Sequence, residues 1–234
     1  VETIHKTFKD YSDLLNKFNH HDFSISVKLS SLGLDVSYED CQTNLLKLAS
    51  IARENEQMIR MDMEDSSYTT RTIKLSKSIN NTLPGSIGIT LQANLFRTKD
   101  DLNDLLENGI SIRLVKGAYR ENSDIAFTEL DAIRESFIDY SSKLTLDSNI
   151  KHSIATHDEI LLNEIVSRKE MMNHSFEFLF GVRRDLQQRY KMTHDVNDEY
   201  KSLWDKMWES DLGKKVWKFD NKTHIYRKVY RVYN

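Results

Sequence analysis

The 234-residue sequence predicts an α/β fold of the parallel (β/α)8-barrel type, and three observations carry that expectation. Short apolar runs alternate with longer amphipathic segments, repeating at roughly 20 to 40 residues. The runs end in polar residues: Lys28, Asp62, Gln92, Arg113 with Lys116, and Thr156 with His157. No G-x-G-x-x-G loop follows the first run, so an open sheet with a dinucleotide crevice is unsupported. A barrel builds its site from the C-terminal ends of many strands, which is where these polar groups recur.

The elements follow in order. "FSISVKLSSLG" (23–33) alternates like a strand, and Ser37 with Asp40 then forms a capping-box pattern. Behind it Cys41, Leu45, Leu48, Ala49 and Ala52 recur at helical spacing, with Cys41 as a small core residue. "MIRMDMED" (58–65) and "SIGITLQANLF" (86–96) are the second and third strand-like runs. Thr98 is expected to cap a helix carrying Leu102, Leu105 and Leu106, with Gly109 ending it. "SIRLVKGAYRENS" (111–123) supplies the fourth run, and Ala126, Leu130, Ile133 and Phe137 mark a long helix after it. "HSIATHD" (152–158) is the fifth run, followed by Leu161, Leu162, Ile165 and Val166. "SFEFLFG" (175–181) is the sixth.

Composition narrows the class. A net charge of -3 does not suit bulk electrostatic binding of nucleic acid. One cysteine excludes an internal disulfide and a cysteine zinc site, and favours a reducing compartment. No apolar run approaches the roughly 20 residues that span a bilayer, and the N-terminus shows no signal pattern, so a cytoplasmic protein is expected. Pro84 is the only proline and there are 7 glycines, so loops rest on Asn, Asp, Ser and Thr. His20, His21, His152, His157 and His174 fit no standard metal-ligand spacing.

Arg113 inside an apolar run is costly unless a partner or ligand satisfies it. Arg113 and Lys116 are three apart, so a regular pleat turns them to opposite faces; Gly117 breaks that geometry and lets backbone approach a ligand. Two readings stand: a site for a flat or anionic group, or an ion pair with Asp62 or Glu64.

The segments "SVKLSSLG", "IRMDMEDS", "GITLQANLFRT", "RLVKGAYRE", "SIATHD" and "FEFLFGVRRDLQ" resemble, in order and spacing, those of proline dehydrogenases of the single-function bacterial type. The resemblance runs from about Ser24 to Tyr190 and implies an FAD-dependent barrel enzyme that oxidises L-proline to 1-pyrroline-5-carboxylate. By the same resemblance Lys28 binds the proline carboxylate, Asp62 is the active-site aspartate and Arg113 the active-site arginine beside the flavin. Met63, Gln92, Lys116, Gly117, Ala118, Thr156 and His157 contact FAD, and Tyr119 walls the pocket. The implied partners are a quinone electron acceptor, with peripheral membrane contact, and 1-pyrroline-5-carboxylate dehydrogenase in the pathway.

The pattern has departures. Relative to the family, the sequence opens inside the first helix and lacks the last helix with its paired arginines, so an incomplete barrel over 1–190 and a divergent tail over 191–234 are expected. Arg183 and Arg184 follow the preceding strand and are not that pair. "FEFLFG" is shorter than the family strand by two residues, about 7 Å. Asn94 stands where the family has tyrosine. In the tail, Tyr200, Leu203, Trp204, Met207, Trp208 and Leu212 make a helical stripe, and "VWKFDNKTHIYRKVYRVYN" is expected to form a hairpin. From Lys214 there are seven Lys or Arg against one Asp. That basic, aromatic segment suits covering apolar surface or binding an anionic partner. Two alternatives therefore accompany the catalytic reading: an inactive scaffold acting through the tail, and a related flavin barrel with another substrate.

Overall fold

The computed structural model describes residues 2–19, 24–147, 149–168, 174–179, 182, 183, 185, 186, 189 and 229–233. The described chain divides into two compact units, residues 2–62 with 70–89, and residues 63–69 with those from 90 onward.

The first unit holds α1 (Glu2–Lys17), β1 (Ser24–Val27), a 3-10 turn (Ser30–Leu32), α2 (Tyr38–Glu54) and β2 (Met58–Met61). It also holds most of α3 (Ser66–Thr82) and the first half of β3 (Ile87–Gln92). β1, β2 and β3 pair in parallel, with Val27 opposite Met61 and Arg60 opposite Gly88. Alternation therefore puts Ile25, Val27, Ile59, Met61, Ile87 and Ile89 on one face and Ser26, Arg60 and Gly88 on the other.

α2 forms where the sequence places it. The Ser37 hydroxyl accepts from Asp40 N–H at 3.1 Å, satisfying one orphan donor of the first turn. Its stripe of Cys41, Leu45, Leu48, Ala49 and Ala52 is fully buried. Each buried leucine stabilises by about 2 kcal/mol, so this stripe is the main tether of α2. Asn55 and Gln57 donate to the carbonyls of Leu15 and Phe18, fastening the end of α2 to the end of α1. The first run yields a short strand: the chain leaves β1 at Lys28 and turns through Gly33, whose φ is +101°.

The second unit continues β3 and adds α4 (Thr98–Glu107), β4 (Ser111–Val115), α5 (Leu130–Leu146), β5 (His152–Ala155), α6 (Glu159–Ser167) and β6 (His174–Leu179). Its strands follow the order β3-β4-β5-β6, parallel from β4 to β6, and β7 (Val229–Tyr233) closes that edge antiparallel to β6. Ile112, Leu114, Ile154, Phe176 and Phe178 form the apolar face. The helices of this unit contribute Leu102 and Leu105, Phe137 and Leu144, and Leu161, Leu162 and Ile165 to the core.

His152 is buried in a structural role. Its Nδ1 accepts from Ile112 N–H at 3.1 Å, which leaves Nε2 to donate to Asp147 at 3.1 Å.

Several expectations change. Thr98 does not cap α4; it is the first helical residue, and its hydroxyl donates back to the Gln92 carbonyl. α5 begins at Leu130, because Ala126 is bridged to Leu95 and Phe127 N–H donates to the Asn94 carbonyl. Backbone pairing with the preceding loop withholds those residues from the helix. In the tail, Val229–Tyr233 is a strand running against β6, with Arg231 opposite Glu177, where the sequence offered only a hairpin within the tail. The expected helix over 200–212 and the rest of the hairpin lie outside the described residues.

Candidate active site

In the second unit one sheet face is polar. The register sets Arg113 opposite Ser153, Ser153 opposite Ser175, and Ala155 opposite Glu177. These residues share a face by strand alternation. Arg113 Nε lies 2.7 Å from Glu177 Oε2, and both side chains are buried. Arg113 is therefore paired with Glu177 of β6, an acid that the sequence reading did not consider. Beside the pair, the Ser153 and Ser175 hydroxyls lie 3.2 Å apart.

Past β3 and β4 the backbone stays zipped: Ala93 N–H donates to Val115 O at 2.8 Å and Asn94 N–H to Lys116 O at 2.9 Å. Gln92 is buried, and its Nε2 donates to the Glu64 carbonyl at 3.0 Å. Buried Met63 precedes that carbonyl by one residue. Gly117 has a φ of +109°, and a Cβ there would lie 2.9 Å from Asn94 Nδ2 and closer still to Cγ and Oδ1. The glycine is thus required by the Asn94 side chain and by the left-handed backbone, a reason internal to the chain.

Lys116 Nζ lies 2.9 Å from Asp158 Oδ2, the same oxygen that Arg134 Nε reaches at 3.0 Å. Asp158 Oδ1 caps α6 by accepting from Ile160 N–H, and Asp158 N–H donates to the Thr156 hydroxyl at 3.1 Å. Thr156 thus sits in the turn that orients Asp158. Burial alone would raise the Asp158 pKa, but the hydrogen bonds and charges of Arg134 and Lys116 outweigh it and hold the carboxyl below its ordinary value.

A depressed folded-state pKa contributes stability that is present above the unfolded value, near 3.8, and is lost as pH falls through the folded one. Asp158→Asn keeps the cap and removes the charge. We expect it to cost about 1–3 kcal/mol at pH ~7, with the gap to wild type closing below pH ~3.5, as read by urea unfolding at the two pH values. A gap unchanged by acid would contradict this assignment.

His157 Nε2 accepts from Leu179 N–H at 2.9 Å, so the ring proton sits on Nδ1. Burial, joined by the charge of Arg183, pushes its pKa down and keeps the imidazole neutral. The buried Nδ1–H has no partner among the described residues, and neither does the buried Asn94 Oδ1. One donor and one acceptor left over at the ends of β5 and β3, with cations on β4 and after it, suit the mixed polar edge of a flavin ring. The residues present fit the group.

Lys28 and Asp62 belong to the first unit, where they follow the paired strands β1 and β2; Asp62 N–H donates to the Val27 carbonyl at 2.9 Å. Ala118 and Tyr119 are exposed in the loop after β4. That loop is pinned by Glu121, whose carboxylate accepts from Ser66 N–H at 2.8 Å and from the Ser66 hydroxyl at 2.6 Å at the start of α3.

Glu177, Asp158 and Glu121 were not legible as site residues from sequence. An acid inside the apolar run "FEFLF" was the available signal for Glu177.

The chain matches the proline dehydrogenase family model over residues 2–197. It is 32% identical over 168 residues to proline dehydrogenase 2 of Bacillus subtilis (strain 168), covering 70% of this chain and 55% of that one. To proline dehydrogenase of Deinococcus radiodurans it is 28% identical over 180 residues, covering 70% and 56%. The chain thus spans about half the length of the curated relatives it matches.

Among solved structures it resembles a variant of proline utilization A from Bradyrhizobium japonicum, with a TM-score of 0.73 and 21% identity, covering 82% of this chain and 24% of that one. It also resembles proline utilization A from Bdellovibrio bacteriovorus inactivated by N-propargylglycine, with a TM-score of 0.68 and 18% identity, covering 77% and 24%. These likenesses carry the fold, an α/β architecture of the barrel type.

Proposed function

Because the chain belongs to the proline dehydrogenase family, we propose that it oxidises L-proline to 1-pyrroline-5-carboxylate using FAD. The observation that supports this reading furthest is that Gln92, Arg113, Lys116 and His157 lie on or just after consecutive strands of the second unit, with a buried His157 donor left over among the described residues. When bound, the flavin supplies the acceptor for a hydride leaving the ring carbon beside the proline nitrogen.

In this reading the chain's own groups bind, orient and hold charge. Gln92, Lys116, His157 and the 116–118 backbone hold the cofactor, with Met63 against it. The Arg113 guanidinium supplies fixed positive charge where negative charge develops, the most effective form of preorganised electrostatics. Lys116 is itself held by Asp158, so its charge is delivered in one geometry. Lys28 binds the proline carboxylate as a point charge, Asp62 serves as the active-site acid, and Tyr119 shields the substrate. A quinone as electron acceptor, reached by peripheral contact with a membrane, and 1-pyrroline-5-carboxylate dehydrogenase as the consumer of the product belong to the same proposal. No helix among the described residues is long and apolar enough to cross a membrane.

The test is anaerobic mixing of the FAD-loaded chain with L-proline. The flavin absorbance is expected to bleach with proline and not with other amino acids lacking the ring. A chain that binds no flavin, or whose flavin stays oxidised under saturating proline, overturns the reading.

A further inference from the structure

Arg113 and Glu177 stand two strands apart, on β4 and β6, yet meet at 2.7 Å. Two strand spacings of about 4.8 Å separate their backbones, a gap an arginine and a glutamate together can span. They do so over β5 at Ala155, the register partner of Glu177. A larger side chain at Ala155 would stand in that path, since same-face residues on adjacent strands crowd one another. Ser153 and Ser175 flank the pair on the same face. Glu177 is 1% exposed and Arg113 5%, so the pair lies out of solvent.

A buried ion pair adds little net stability over apolar side chains of the same volume, while breaking it is costly. Stability alone therefore does not explain a glutamate at this position. What the pair does provide is a guanidinium with one orientation, its flexible stem immobilised before any ligand arrives.

We propose that Glu177 is the positioning residue for Arg113, holding the guanidinium where it acts on the bound flavin. This rests on the functional reading above, in which Arg113 faces the flavin. The effect of Glu177 passes through Arg113.

The experiment compares four FAD-loaded forms of the whole chain: wild type, E177Q, R113M, and R113M with E177Q. Two readouts are followed: the rate at which L-proline bleaches the flavin, and the flavin midpoint potential by dye equilibration. With Arg113 present, E177Q should slow bleaching by about tenfold, the scale of a sub-ångström to ångström misplacement. It should also shift the potential positive, because a negative charge beside the cation is gone. In the R113M background the same change should alter the rate by less than about twofold and shift the potential by less than it does beside Arg113.

Equal shifts in both backgrounds would mean that Glu177 acts on the flavin directly, and would overturn the proposal. So would E177Q behaving as wild type. If E177Q does not fold, E177D, which keeps the charge on a shorter stem and so withdraws it from Arg113, carries the rate comparison in the two backgrounds. A colourless or proline-insensitive wild type identifies failure of the functional reading itself, before any variant is compared.

Discussion

Arg113→Met is expected to destabilise the chain by about 3–5 kcal/mol at neutral pH, the range for breaking a buried ion pair by removing one partner. The cause is not the lost attraction but the carboxylate left behind: Glu177 has no measurable side-chain exposure. Replacing both members, as in Arg113→Met with Glu177→Met, removes that penalty and should recover most of the loss. A cost below about 1 kcal/mol, or a double variant no more stable than the single one, would contradict the buried pairing.

The second large effect concerns the glycine after Lys116. Gly117→Ala is expected to cost roughly 3 kcal/mol, with part of it from forcing a side chain into the φ of +109°. The rest comes from driving the new Cβ into Asn94, whose side chain is buried and cannot swing into solvent. The two parts separate experimentally. Asn94→Ala deletes the atoms that the Cβ would meet, so Asn94→Ala combined with Gly117→Ala should recover the contact part and keep the backbone part. If the combination is no better than Gly117→Ala alone by thermal unfolding, Asn94 is not the obstacle.

These two cases also show where sequence reasoning stops. The order of strands and helices was legible because it is local: α2 could be read from its cap at Ser37 and its stripe from Cys41 to Ala52, both of which the structure shows. Arg113 and Lys116 could be read as anomalies, since a cation at the end of an apolar run demands a partner. Which partner they find depends on the register of β4, β5 and β6, a non-local property that spacing does not encode. Glu177 was hidden for the same reason, lying inside a run that reads as apolar strand.

Gly117 was read as letting backbone approach a ligand; its immediate neighbour, the chain's own Asn94, is a further reason for glycine there that the sequence did not reveal. The late start of α5 was missed because Ala126 and Phe127 carry a helical pattern but spend their backbone groups on the loop after β3. The direction of β7 was likewise invisible, since an alternating run is compatible with either orientation.

Amide hydrogen exchange of the full chain with and without FAD reads the proposed cofactor site directly. Slowed exchange is expected in residues 92–96, 116–119 and 156–158, where Gln92, Lys116 and His157 end or follow their strands, and no change along Glu2–Lys17. Protection confined to other segments, or an exchange pattern indifferent to FAD, would contradict it.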